Sequence, residues 1–246
     1  MTATPSRPSF LGAASAVYRK ELRVAFLSPI AWVFLAAFLF ISGLFFVMGI
    51  TVTGEASLRP LVSNLAVVLL FCLPMLTMRQ FAEETRSGTI ELLMSAPVPL
   101  GSLILGKWAA TLSLCAMLLL MTAAYPVVLW MYGSPDIGAM FTTYVGLFLC
   151  CAAFSSAGLF TSTLSRDQMV SGVGGILLLL PSWMASVGLD SAPPWLAPML
   201  LRVSFLDHLR SFARGVLAAG DIGWFTAVTA LFLFLTWQSL ESRRWR

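Results

Sequence analysis

The sequence has few charged residues, and this shortage sets the class of protein. Only 11% of the 246 residues are Asp, Glu, Lys or Arg, whereas 59% are hydrophobic, and the mean hydropathy is +0.88. A soluble domain has about 25% charged and about 45–50% apolar residues. Six membrane spans of about 20 residues would use about 120 residues and leave about 126 for everything else. The composition therefore predicts a polytopic membrane protein and excludes a large appended catalytic domain.

Cysteine and histidine are also scarce. The sequence has 4 cysteines and 1 histidine. All four cysteines fall inside apolar runs, and none has the CxxC spacing of a zinc site or a disulfide framework. They are Cys72, Cys115, Cys150 and Cys151. Because one imidazole cannot form a metal site alone, we expect no bound metal and a structural role for His208, with Asp207 and Arg210 as its candidate partners.

Catalytic and nucleotide-binding motifs are missing. The chain has no GxxxxGK[ST], HExxH or GxSxG motif. The adjacent Glu83 and Glu84 diverge by about 100° on a helix, so we interpret them as surface charge. The 12 methionines are typical apolar filler, which disfavours a copper-conducting site. No charged residue lies near the middle of an apolar run, which disfavours an ion-coupled transporter. We expect no enzymatic activity and no directly bound cofactor.

Six apolar runs have the length of a membrane span. They cover about residues 29–50, 60–78, 107–131, 139–164, 169–188 and 222–240. Pro74 and Pro181 interrupt the second and fifth runs, but proline is tolerated in membrane helices. The sequence therefore predicts an all-α fold of six transmembrane helices in a single domain over residues 1–246.

The basic residues indicate the orientation of these spans. An even number of spans places both termini on one side, and most of the 15 Lys and Arg residues lie on that side. The exceptions are Arg59, Arg202, Arg210 and Arg214. The positive-inside rule then places both termini in the cytoplasm. The net charge of +4 is thus explained by topology, and we expect no nucleic-acid partner.

Residues 1–28 predict a cytoplasmic tail followed by an amphipathic helix before the first span. An apolar stripe recurs near helical spacing and faces away from a basic cluster. The stripe consists of Phe10, Ala14, Val17, Leu22 and Phe26, and the cluster of Arg19, Lys20 and Arg23. This pattern favours a helix in the membrane interface over a solvated helix.

Residues 79–106 form the longest predicted cytoplasmic segment. Gly88 is expected to end one helix, and Thr89 to N-cap a short second helix that stops at Ala96-Pro97. That short helix would carry three apolar residues on one side. They are Ile90, Leu93 and Met94. Two interpretations are equally supported: a docking surface for another protein, or contact with the ends of the protein's own spans.

Residues 189–221 form the only long external segment. Ser204 and Asp207 have the spacing of a capping box, which predicts an amphipathic helix over Phe205–Leu217 at the outer interface. Gly220 is expected to close this segment.

Small residues mark faces of close helix packing on the fourth and fifth spans. The pairs are Ala152/Ser156, Ala153/Ala157 and Ser171/Gly175, with Gly172 and Gly174 nearby. They predict intimate contact within the chain or with a second copy.

Three parts of the sequence resemble the permease subunits of ABC-2 type exporters, and most closely the branch associated with gliding motility and nitrous oxide reductase maturation. The first is Tyr18–Leu22 followed by Ser28–Ala31 and Ser42–Phe46. The second, and most specific, comprises Met78-Arg79, Phe81–Glu84, Arg86–Leu93 and Ala96–Val98. The third is His208 with Phe212–Val216. One departure is visible: these relatives often have an acidic residue soon after the Arg-Gly-Val, whereas this chain has Ala218, and its next acid is Asp221.

The resemblance implies the ABC-2 type exporter fold, with an elbow helix before the first of six spans. It also implies two permeases, as two copies or two homologues, that combine with two cytoplasmic ATPase subunits, on which ATP and Mg²⁺ are bound. It assigns the coupling region, which contacts the ATPase, to a set of residues between positions 83 and 97. They are Glu83, Glu84, Arg86, Gly88, Thr89, Ile90, Glu91, Leu92, Leu93, Met94, Ala96 and Pro97. On the external side it marks His208, Phe212, Arg214 and Gly215.

The leading hypothesis is therefore the membrane-spanning subunit of an ATP-driven exporter in a bacterial cytoplasmic membrane. The alternative is a membrane scaffold or mechanotransducer that uses the same ATPase to act on a periplasmic partner without moving a solute. A continuous cavity between protomers would favour transport, and a closed interface with a bound periplasmic partner would favour transduction. An intramembrane enzyme is a third option, but it lacks a catalytic set of residues.

Overall fold

In the part of the chain that the computed structural model describes, all regular secondary structure is helical. That part comprises residues 9–53, 59–95, 98–132, 136–185 and 197–244, with residues 193 and 195. The helices are α1 (Phe10–Leu27), α2 (Pro29–Thr53), α3 (Arg59–Thr77), α4 (Arg79–Arg86), α5 (Thr89–Ser95), α6 (Leu100–Thr122), α7 (Ala124–Tyr132), α8 (Ile137–Leu164), α9 (Gln168–Met184), α10 (Ala197–Val203), α11 (Phe205–Ala213) and α12 (Ala219–Arg244). The predicted all-α class is confirmed.

Five apolar helical stretches in the described residues are long enough to cross a membrane. They are Ala31–Thr51, Leu61–Arg86, Leu100–Met131, Ile137–Leu164 and Ala219–Arg243. α9, of 17 residues, is a shorter apolar helix of about 25 Å. These six stretches correspond to the six predicted spans. The predicted end of the fifth, Gly188, lies outside the described residues.

α8 is the central helix, because its small residues allow other helices to approach closely. It packs against α3, α6, α9, α11 and α12. Ala153 and Ser156 are fully buried. On the neighbouring α9, a Cβ added to Gly175 would lie 2.8 Å from the Cβ of Pro74 in α3. The predicted small-residue faces therefore pack against helices of the same chain.

Short polar side chains and two glycines set several helix boundaries. Ser9 accepts a hydrogen bond from the Gly12 N–H, and Asp167 accepts one from the Met169 N–H, at the starts of α1 and α9. Gly88 and Gly215 follow α4 and α11 with φ of +72° and +86°. Since a residue with a side chain rarely adopts this conformation, these glycines allow the chain to turn there.

One end of the bundle is defined by an apolar cluster that joins five helices, and we call it the α5 end. Its fully or almost fully buried members come from α4, α5, α6, α8 and α12. They are Phe81, Ile90, Leu103, Ile104, Leu159 and Leu240. Also at this end, the Arg243 side chain donates a hydrogen bond to the Thr163 carbonyl. This is the end assigned to the cytoplasm in the sequence-based topology.

α11 lies inside the opposite end of the bundle, which we call the α11 end. The Phe205 ring meets the Phe154 ring edge-on with centroids 4.9 Å apart, and Phe154 lies past the midpoint of α8. The predicted position at the outer interface is therefore wrong. α11 carries apolar side chains that find space between α3, α8 and α12, and it ends at Ala213 instead of Leu217 because Gly215 turns the chain.

α1 packs lengthwise on α6. The Ala14 carbonyl and the Val17 side chain lie directly over Gly106, and the Tyr18 hydroxyl is 3.0 Å from the Ser113 Oγ. At the two ends of the apolar stripe, Phe10 and Phe26 are 44% and 41% exposed. Part of the stripe is thus covered by the protein itself, and the placement of α1 in the membrane interface stays a prediction.

Candidate functional site

The predicted coupling segment contains two short helices joined by a tight turn. α4 buries Phe81 completely and exposes Glu83. Gly88 breaks the helix as predicted. The Thr89 hydroxyl donates a hydrogen bond to the Glu84 carbonyl at 3.4 Å, and α5 begins at Thr89 itself. The predicted N-cap role of Thr89 is therefore wrong, because its hydroxyl is bound back to α4.

Ile90 is buried at the α5 end and is only 7% exposed. It packs in the apolar cluster with Leu103, Leu159 and Leu240, and the half-buried Leu93 lies against the same cluster. The docking-surface interpretation is therefore wrong for Ile90, since the ends of α6, α8 and α12 converge on it. The contact with the protein's own spans is thus correct for Ile90.

The part of the segment available to a partner is mainly polar. The exposed residues of α4, the turn and α5 are Arg79, Glu83, Arg86, Ser87, Gly88, Thr89 and Glu91. Ala96, Pro97 and the side chains of Leu92 and Met94 lie outside the described residues. A partner that binds this side of α4 and α5 therefore contacts charged groups and a glycine turn. The buried Ile90 lies behind them and anchors α5 to the bundle.

A cluster of four charged residues, the buried charge cluster, lies beside the segment. Its members are Lys107 of α6, Glu21 and Lys20 of α1, and Glu84 of α4. The Lys107 Nζ lies 2.9 Å from the Glu21 Oε1 and 2.8 Å from the Glu84 Oε1. The Lys20 Nζ lies 3.1 Å and 3.6 Å from the same two oxygens. Glu84 is therefore a buried ion-pair partner, and its interpretation as surface charge is wrong.

Lys107 can be buried because all of its donors are used. The residue is 1% exposed, and its ammonium also donates to the Gln80 carbonyl at 2.8 Å. Three donors thus meet three acceptors, and the Phe81 ring centroid lies 5.1 Å away. A buried ammonium is tolerated only with this degree of pairing.

The two members on α1 show how the cluster balances burial against charge. Burial alone would raise the pKa of Glu21, but Lys107 and then Lys20 outweigh it and hold that pKa below its usual value of 4.5. Burial alone would lower the pKa of Lys20, but Glu21 and Glu84 hold it above 10.5. Both groups are therefore ionised at neutral pH.

This cluster links three helices that the sequence analysis did not connect. The sequence-based prediction placed Lys107 at the start of the third span, as one of the basic residues on the cytoplasmic side. α6 begins at Leu100, so Lys107 lies about two turns inside the helix. The signal for this position was Pro97 and Pro99, since proline is common at the start of a helix.

The external motif surrounds a pair formed by His208 and Asp221 at the α11 end. The His208 Nδ1 lies 2.6 Å from the Asp221 Oδ1, and the Nε2 lies 3.2 Å from the Arg202 carbonyl. The His208 ring stacks on Trp224 with centroids 4.4 Å apart. The predicted partners, Asp207 and Arg210, are wrong because residues one and two positions away on a helix do not face the same side.

The other external-motif residues have different surroundings. Phe212 is fully buried against Gly146, and its carbonyl accepts a hydrogen bond from the Thr142 hydroxyl at 2.6 Å. Gly215 packs beside Ala139, and Arg214 is exposed. Only His208 therefore contributes to the polar pair, whereas Phe212 and Gly215 fix the position of α11.

Comparison with known proteins gives one family. Residues 16–218 match the model of the family described as ABC-2 type transporter. The matched range includes most of α1, the coupling segment, the buried charge cluster and the external motif. A comparison with curated proteins found no match.

Proposed function

We propose that this chain is driven through the exposed side of α4 and α5. The chain belongs to the ABC-2 type transporter family and is the membrane-spanning permease subunit of an ATP-binding cassette transporter. The family has no ATPase activity of its own and implies a separate ATPase subunit. The observation that carries this proposal is the location of the coupling segment. Its exposed polar side faces away from the protein, and its other side is anchored to the transmembrane helices.

Two connections can carry motion from the segment into the membrane. Ile90 of α5 packs on Leu103, Leu159 and Leu240, which belong to α6, α8 and α12. Glu84 of α4 pairs with Lys107 of α6. Lys107 also pairs with Glu21 of α1, so the three helices are connected. Because a packed core is bistable and not continuously deformable, a shift of α5 is expected to move these helix ends together. Nucleotide state on the partner then selects between two packings of the helices.

The same proposal includes the orientation of the chain in the membrane, its partner subunits and the direction of transport. We place the α5 end and both termini in the cytoplasm of a bacterial cell, with ATP and Mg²⁺ on the ATPase subunits. Residues 1–246 act as one transmembrane domain, two permeases form the pathway, and the direction is export. The support is the positive-inside distribution of Lys and Arg, together with the resemblance to the gliding-motility and nitrous oxide reductase maturation branch. A periplasmic partner would bind near the α11 end.

The ATPase contact is tested by reversing exposed charge on the segment. Arg86→Glu and Glu91→Lys change exposed side chains and leave the buried anchor intact. We expect both variants to lose the ATPase that co-purifies with the wild-type permease and to lose permease-dependent ATP hydrolysis. Pull-down and phosphate release in reconstituted membranes measure the two effects.

Arg210→Glu is the matched control, because Arg210 is also exposed but lies on α11. It should keep the ATPase bound and active. If the two α4–α5 variants recover the ATPase as well as Arg210→Glu does, the coupling assignment is wrong.

A further inference from the structure

A cavity of about 530 Å³ lies among α1, α2, α3, α4 and α6, next to the buried charge cluster. Its lining changes from polar to apolar. Lys20, Arg79, Glu83 and the rest of the cluster form the polar part. The apolar part is formed by Val24, Phe34, Met75, Leu76 and Leu114. A cavity with these two parts matches an amphiphile, since a polar solute would leave the apolar wall uncovered.

The apolar part of the cavity is open to the surroundings of the bundle. Val24 of α1 is 55% exposed and Met75 of α3 is 54% exposed. Both belong to the lining, so a hydrocarbon chain can enter between these two helices. In the proposed orientation this opening lies at the level of the cytoplasmic leaflet, where phospholipid is the most abundant amphiphile.

The charges of the lining indicate the head group. Lys20, Lys107, Glu21 and Glu84 neutralise one another in the buried charge cluster. Arg79 and Glu83 remain, and both are exposed and one turn apart on α4. Neither has an ion-pair partner among the described residues. Among the described residues of the polar wall, Arg79 and Glu83 are therefore a cation and an anion without an ion-pair partner, side by side on α4.

We propose that this cavity binds a phospholipid with a zwitterionic head group, of the phosphatidylethanolamine class. The phosphate binds to Arg79 and the ammonium to Glu83, and one acyl chain lies along Phe34, Met75 and Leu114. A lipid with a purely anionic head group can pair with Arg79, but it has no positive charge for Glu83 and leaves that carboxylate without a partner. The site is thus selective by charge pattern.

Native mass spectrometry of the purified permease, without its ATPase, tests this proposal separately from the proposed coupling. The protein in detergent is given equal amounts of phosphatidylethanolamine and phosphatidylglycerol with the same acyl chains. We expect the phosphatidylethanolamine adduct to dominate. Ala31→Phe fills the lining of the cavity and should reduce this adduct about fivefold. Ala36→Phe makes the same change at an exposed position of α2 outside the cavity and should not.

Glu83→Gln keeps the test valid if Ala31→Phe fails to fold, because Glu83 is exposed. It should remove the preference for phosphatidylethanolamine over phosphatidylglycerol. Soluble phosphoethanolamine, offered at the lipid concentration, should not displace the adduct. Equal adducts of the two lipids on the wild type would overturn the head-group assignment. Displacement by phosphoethanolamine, or an undiminished adduct on folded Ala31→Phe, would overturn the lipid site.

Discussion

The two ends of the helix bundle are held together by different kinds of interaction. At the α5 end, Lys107 joins three helices through two carboxylates and a carbonyl, all within 2.9 Å. At the α11 end, Phe212 lies on Gly146, and Phe205 lies between the rings of Phe154 and Trp224. The α5 end therefore combines its apolar cluster with a network of ion pairs, whereas close ring packing predominates at the α11 end, beside the His208–Asp221 pair.

This difference suits the separate tasks proposed for the two ends. An ion pair keeps its partners together over small displacements because Coulomb energy falls slowly with distance. A close apolar contact loses about a quarter to a half of its energy when a gap of about 0.5–1 Å opens. The α5 end can thus stay connected while the ATPase moves it. The α11 end is expected to switch between discrete packings.

The largest effect is expected from Lys107→Met, which removes the centre of the buried charge cluster. Glu21 and Glu84 would be left buried with only Lys20 as a partner. Breaking a buried ion pair from one side costs about 3–5 kcal/mol. We therefore expect a clear fall in the thermal unfolding temperature and loss of ATPase stimulation, measured by differential scanning fluorimetry and phosphate release.

Lys20→Met is the matched control for this prediction. The Lys20 side chain is 59% exposed, so its ion pairs are screened by solvent and are expected to contribute about 0–1 kcal/mol. If Lys20→Met is as damaging as Lys107→Met, burial is not the reason for the importance of the cluster.

A smaller effect is expected from Gly146→Ala at the α11 end. The added Cβ would lie 2.8 Å from the Cβ and Cγ of Phe212, so α11 must shift away from α8. Overpacking of this kind costs about 1–3 kcal/mol. The unfolding temperature should fall. Gly174→Ala is the control, since nothing lies within 4 Å of its added Cβ; equal destabilisation by both variants would show that the loss comes from the helix backbone.

The helices were predictable because each membrane helix must form all of its backbone hydrogen bonds within its own segment. The residues that determine such a helix are therefore close together in the sequence. The apolar runs, the break at Gly88 and the Ser204 cap on the Asp207 N–H were all correct. These features depend on residues within a few positions of one another.

The site was less predictable because its partners are distant in sequence. Lys107 binds Glu21 across 86 positions, and nothing near either residue indicates the other. The same is true of Ile90, whose burial depends on the ends of α6, α8 and α12. The depth of α11 was missed because an amphipathic pattern predicts that one side is covered, but does not say whether lipid or protein covers it.

The smallest effect is expected from acid pH, and it separates the two ends most directly. The pKa of Glu21 is lowered in the folded protein. The stability that Glu21 contributes is therefore complete above pH 4.5, the usual pKa of a glutamate, and is lost as the pH falls through its lower folded-state pKa. Glutamine resembles protonated glutamate, so the gap in unfolding temperature between wild type and Glu21→Gln should be widest at neutral pH and close in acid. The gap between wild type and Gly146→Ala should change less over the same range, because Gly146 and Phe212, the two residues that clash, do not titrate. A Glu21→Gln gap that does not change with pH would mean that the carboxylate charge does not hold α1 to the α5 end.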